Sequence, residues 1–154
     1  MTAAVIVSLR VKATPQEAFG IFTQEIGAWW RPNALFQLTP HGDGKLRFDP
    51  GEGGRLLTTL PNGEEFEIGR ITVWLPGEQL AFTWRQASFA SGQLTQVEVR
   101  FEAVSEETRI TVEHRGWDTI PQEHAARHGF PLDVFQQRQA AHWRMLLAHL
   151  GARL

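Results

Sequence analysis

Hydrophobic residues recur at helical spacing over the last apolar run of the chain, where Leu132, Phe135, Trp143, Leu146 and Leu150 fall on one stripe of residues 131–150. The spacing predicts one long helix. At ~1.5 Å rise per residue it makes a rod about 30 Å long, the width of a small domain, so the rest of the chain is expected to wrap it. The same stripe carries Gln139 and His142, polar residues at positions that a purely structural helix gives to Leu or Ala. A core with a polar interior spot is therefore expected.

Upstream the period changes to two. Val5, Val7, Leu9 and Val11 alternate with Ile6, Ser8, Arg10 and Lys12, as in a strand with one buried face. Thr14, Pro15 and Glu17 then supply a capping hydroxyl, a first-turn proline and a capping-box carboxylate. That helix should turn Ala18, Phe19 and Phe22 inward, and a second short one over 26–30 should end before Pro32. Residues 36–49 look like a broken hairpin turning at Gly42, Asp43 and Gly44. The glycine-rich run 49–54 has no lysine or helix start after it, so it reads as a tight turn and not as a phosphate cradle. Pro61, Asn62 and Gly63 mark a hairpin between strands over 55–60 and 64–75. Gly69 is expected to bulge the second of these, because Phe66 and Ile68 sit on one parity and Ile71, Val73 and Leu75 on the other. Alternation then places Leu80, Phe82 and Trp84, next Val97, Val99 and Phe101, and last Ile110, Val112 and His114 on inward faces. His114 ends the final buried row. The connection 116–130, with Trp117, Pro121 and Gly129, is longer than most loops of a compact domain and is expected to act as a functional lid.

A chain of 154 residues fits one domain spanning 1–154 with a sizeable core. Fifteen Lys plus Arg against 17 acidic residues leave no basic excess to follow a phosphate backbone, so nucleic acid is not an expected partner. With no cysteine, thiol catalysis, thiolate metal sites and disulfides drop out, which fits a reducing compartment. No leader-like start and no run of membrane-spanning length is visible, so a cytoplasmic protein without membrane insertion is expected. Six Trp and ten Phe with no Tyr favour apolar aromatic walls over phenolic hydrogen bonding.

The order of one strand, two short helices, a run of antiparallel strands and a long C-terminal helix resembles the helix-grip fold of the START-like, birch-pollen-allergen-like superfamily. In such an α+β fold a curved antiparallel sheet wraps the long helix, which covers the sheet's apolar face. Ala13, Thr14, Pro15, Glu17 and Phe19, then Trp29, Trp30, Arg31 and Pro32, then Gly53, Gly54 and Arg55 look like motifs of the bacterial proteins related to the heat-shock-protein-90 ATPase activator. Pro76 with Leu80 to Trp84, Thr108 to Thr111, and Trp143 with Leu146, Leu147 and Leu150 continue the likeness. The resemblance implies an apolar cavity between sheet and final helix, which superfamily members use for lipids, hormones, polyketides or other aromatics. Co-chaperone action belongs to the eukaryotic relatives, which carry an additional N-terminal domain.

The leading expectation is therefore a cavity that binds one small, mostly apolar or aromatic molecule, lined by Trp30, Phe36, Trp84, His114, Trp117, Phe130, Gln139, His142 and Trp143. An enzyme using the same cavity for cyclisation, isomerisation or hydrolysis, with His114 or His142 as general base, is the alternative. A partner-binding module of co-chaperone type is the third. No catalytic residue, cofactor or metal site is assigned. His124 and His128 have the spacing of two ligands on a helical face, but Glu123 precedes His124 instead of following it, which is the wrong order for a zinc protease. Monomer and homodimer both remain open.

Overall fold

A computed structural model describes residues 4–31, 45–60, 62–85, 89–90 and 92–154. The chain runs β1 (Ala4–Val11), α1 (Pro15–Gln24), α2 (Ile26–Trp29), β2 (Leu46–Phe48), β3 (Arg55–Thr59), β4 (Glu65–Leu75), β5 (Gln79–Trp84), β6 (Thr95–Val104), β7 (Glu107–Arg115) and α3 (Leu132–Gly151). Among the described residues the strands form one antiparallel sheet in the order β1-β7-β6-β5-β4-β3-β2. This is the helix-grip architecture. Phe36 and the turn at Gly42 to Gly44 lie outside the described residues.

Local chemistry explains where the early elements start. Thr14 Oγ1 accepts from the Glu17 backbone N–H at 3.1 Å and donates to the Glu17 carboxylate at 3.0 Å, with Pro15 in the first turn. One orphan amide of α1 is thereby satisfied. The helix then buries Ala18, Phe19, Phe22 and Thr23, with Phe19 set edge-on against Phe101 of β6 and Trp74 of β4 at 5.3 and 5.0 Å. The 49–54 run folds as a turn: Gly54 N–H bonds Gly51 O, Asp49 N–H bonds Arg55 O, and a strand follows.

Strand β4 carries two irregularities. Leu56 pairs with Gly69 but Leu57 with Glu67, and the pairing with β5 shifts again between Ile71 and Val73. Each extra residue flips the inward parity. Ile68 and Ile71 are consequently both buried, Trp74 is half-buried against Phe19, and Leu75 points out at 46 % exposure. Of Ile71, Val73 and Leu75 only Ile71 is buried, and Trp74, whose facing the sequence leaves open, turns toward Phe19. At Gly69 the strands approach so closely that a Cβ would stand 1.7 Å from the Thr83 carbonyl oxygen.

Helix α3 faces the sheet with Phe135, Gln139, His142, Trp143, Leu146, Leu147 and Leu150. Each large apolar member contributes on the order of 2 kcal/mol when buried, so together they are comparable with a domain's whole stability. Deleting residues 131–154 should therefore leave an aggregating chain with no cooperative melt. Gly69→Ala should lower stability by about 1–3 kcal/mol, since backbone must move to admit the methyl group; a denaturant melt reads it directly.

Candidate functional site

The site is built where the end of β7 meets the middle of α3. Alternation along β7 turns Thr108, Ile110, Val112 and His114 inward, and His114 is 1 % exposed. Its Nδ1 accepts from the Trp143 indole N–H at 3.2 Å. An indole N–H can only donate, so Nδ1 must hold the ring's lone pair and Nε2 carries the proton. Nε2–H then donates to Thr95 Oγ1 at 2.7 Å, and the Thr95 hydroxyl donates to the Trp84 carbonyl at 3.1 Å. Burial drives the His114 pKa from 6.5 down to about 3, because a charged ring would leave water and meet the Trp143 N–H with a second N–H. His114 is neutral and fully occupied: its lone pair is taken, so it is placed to hold the helix to the sheet and not to accept a substrate proton.

Gln139 adds its side-chain NH₂ to the same Nδ1 at 3.3 Å. The opposite amide orientation would set an oxygen against the lone pair, so Oε1 points away, and it is buried without a hydrogen-bond partner. His142 is 5 % exposed, stands edge-on to Trp30 at 6.2 Å between centroids, and is held neutral by burial, with its pKa lowered to about 4. Trp30, at the C-terminal end of α2, lies over Trp84 at 5.1 Å and against Trp143 at 5.2 Å. Its indole N–H is buried and has no acceptor among the described residues. Trp84, Trp117 and Trp143 surround His114 at 6.3, 5.5 and 6.1 Å.

Of the sequence-predicted residues, Trp30, Trp84, His114, Gln139, His142 and Trp143 thus converge. Trp117 and Phe130 belong to a second apolar cluster with Phe89, Ile120, Ala126 and Phe135, packed under the 116–130 connection. Trp117 is fully buried there, 4.7 Å from Phe135, and Phe130 is half-buried. Residues Ala125–Arg127 form a 3-10 turn, His128 adopts φ 53°, and His124 Nδ1 accepts the Ala126 N–H at 3.0 Å. The His124 and His128 pair accordingly shares no helical face. Thr95 and Arg127 were not singled out from sequence; parity places Thr95 inward beside Val97, whereas no periodicity points to Arg127.

The indoles of Trp30, Trp84 and Trp143 pack on one another around a buried polar spot made by one donor, one acceptor and a neutral imidazole. Comparison with solved structures agrees on the scaffold. A protein of Mesorhizobium loti is 18 % identical with a TM-score of 0.63, over 97 % of this chain and 95 % of that one. A protein of Nitrosomonas europaea is 15 % identical at 0.63, over 97 % and 92 %. An anthrahydroquino-γ-pyrone synthase is 25 % identical at 0.58, over 98 % and 96 %. Curated protein sequences yield no match. The family model described as activator of Hsp90 ATPase homolog 1-like protein matches residues 12–153, and the chain belongs to that family.

Proposed function

We infer that the protein binds a small, mostly apolar or aromatic molecule against the face of α3 that carries Gln139 and His142, with Trp30, Trp84 and Trp143 as its walls. One observation carries this reading: two buried polar atoms of opposite character, the Trp30 N–H and the Gln139 Oε1, both beside Trp143, lack partners among the described residues. Leaving such a group unmatched costs about 1–3 kcal/mol. Phe and Leu would fill the same positions without that cost, so the pair is best explained by a ligand that presents an acceptor and a donor. Phe130 and Trp117 then bound the far end of the same face, behind His114.

A second reading is favoured by the likeness to the synthase. In it the bound molecule reacts, and His142, kept neutral by burial, exchanges the proton. Native mass spectrometry of freshly purified protein, followed by release of what it carries, tests the first reading; turnover of the released molecule by added protein tests the second.

Three further outcomes are expected. Gln139→Leu removes an unmatched acceptor while Trp143 still fills Nδ1, so the empty protein should melt at or above the parent temperature and bind its ligand more weakly. His114→Leu strands the Trp143 N–H and the partner of Thr95, and should cost roughly 2 kcal/mol or more in a denaturant melt. The third outcome concerns pH. Both histidines have folded pKa values below the unfolded 6.5, so their contribution is constant above that value. Below it the unfolded chain takes up protons first and stability falls by about 1.4 kcal/mol per pH unit for each ring. The loss runs down to about 4 for His142 and about 3 for His114. His142→Leu should flatten the pH 6.5 to 4 limb by that amount; an unchanged limb would mean that His142 is not held neutral.

A further inference from the structure

Beneath the connection 116–130 lies a charge that the binding site as described does not use. Arg127 is 4 % exposed. Its guanidinium sits in the second apolar cluster with its carbon 5.6 Å from the centroid of the Phe135 ring. Nη1 donates to the Ile120 carbonyl at 2.8 Å and Nη2 to the Phe130 carbonyl at 2.7 Å, which accounts for two of the five N–H groups such a side chain carries. Nε is buried without an acceptor. Among the described residues no carboxylate pairs with Arg127. Carbonyl dipoles and a ring face soften a buried cation but leave its charge uncancelled, and a guanidinium cannot shed its proton to escape.

A second unmatched donor lies against the same Phe135 ring. The Trp117 indole N–H is buried with no acceptor, and the Trp117 ring packs on the same Phe135. Phe135 and Gln139 are four residues apart on the buried stripe of α3, a separation of about 6 Å along the axis. Along one helical turn the protein therefore sets out an unmatched acceptor at Gln139, then two unmatched donors at Phe135, one of them cationic.

We propose that the ligand is an organic anion: an aromatic body held among the indoles, with a carboxylate or similar acidic group that accepts from Arg127 Nε and the Trp117 N–H. The inference rests on the binding reading above and adds the sign of the ligand's charge. It also gives the second apolar cluster a role, since the 116–130 connection supplies the group that recognises the acidic end. A loop clamp made only of the two carbonyl bonds would need neither the charge nor the free Nε, and a neutral donor would serve it as well.

The test uses two fluorescent probes with nearly the same aromatic body, anilinonaphthalene sulfonate and its uncharged parent phenylnaphthylamine, titrated into the full chain. The sulfonate should bind about tenfold tighter or better, the effect expected of one charge-assisted hydrogen-bonded pair. Arg127→Met should abolish that preference and leave the affinity for the uncharged probe unchanged, while Arg127→Lys, which keeps the charge, should retain most of it. The empty Arg127→Met protein should melt lower than the parent, because the Ile120 and Phe130 carbonyls lose their donors, so both affinities are measured well below its melting temperature. Equal affinities in the parent protein, or a preference that survives Arg127→Met, overturns the proposal while leaving the binding reading intact. If neither probe binds the parent, the binding reading falls and this proposal with it.

Discussion

The hydrogen bond from the Trp143 indole to Nδ1 of His114, with the longer one from Gln139 to the same atom, ties α3 to the sheet by direction as well as by shape. Everything around it follows from the chemistry of its two partners. The indole can only donate, so the imidazole must be neutral with its proton on Nε2; that proton needs an acceptor, which Thr95 supplies; the Thr95 hydroxyl then needs one of its own, which is the Trp84 carbonyl at the end of β5. Three strands and the helix are thereby registered by one chain of hydrogen bonds in which each member leaves the next a single choice.

Much of this could be read from the residues in advance, because it rests on periodicity. A strict period of two turned His114 and Thr95 inward together with the valines, Phe101 and Ile110 of their strands, and the helical stripe of 131–150 put Gln139, His142 and Trp143 on the same side as Leu146 and Leu150. What could not be read depends on events that break a period. Two extra residues in β4 reverse the parity twice, which left Trp74 without a predictable facing. The connection 116–130 has no period at all, so Trp117 stood out by its size alone and Arg127 did not stand out. Which nitrogen of His114 carries the proton depends on a partner 29 residues away, and no local pattern encodes that.

The aromatic composition serves two ends at once. Trp30, Trp84 and Trp143 are core residues by burial, yet Trp30 carries an unmatched polar atom that a core alone would not need. Replacing such a residue removes packing and any ligand contact together, so truncation to alanine confounds the two. The absence of tyrosine is consistent with this economy: indoles supply flat area and a single donor, and the acceptors come from amide and imidazole groups whose orientation the network sets.

The sheet order has a consequence for how the chain is made. Among the described residues strand β1 pairs with β7 alone, with Ser8 beside Thr111 at a separation of 103 residues, and it packs on α3, where Gly151 lies against Leu9 and Val11. β1 therefore leaves the ribosome well before β7 and α3, and finds its partners only when both have emerged. At ~5–20 residues per second that is a wait of at least several seconds. Through that interval Val5, Val7 and Val11 lack the partners that bury them, and folding of the sheet's β1 end is late, slow and governed by contacts between residues far apart in sequence.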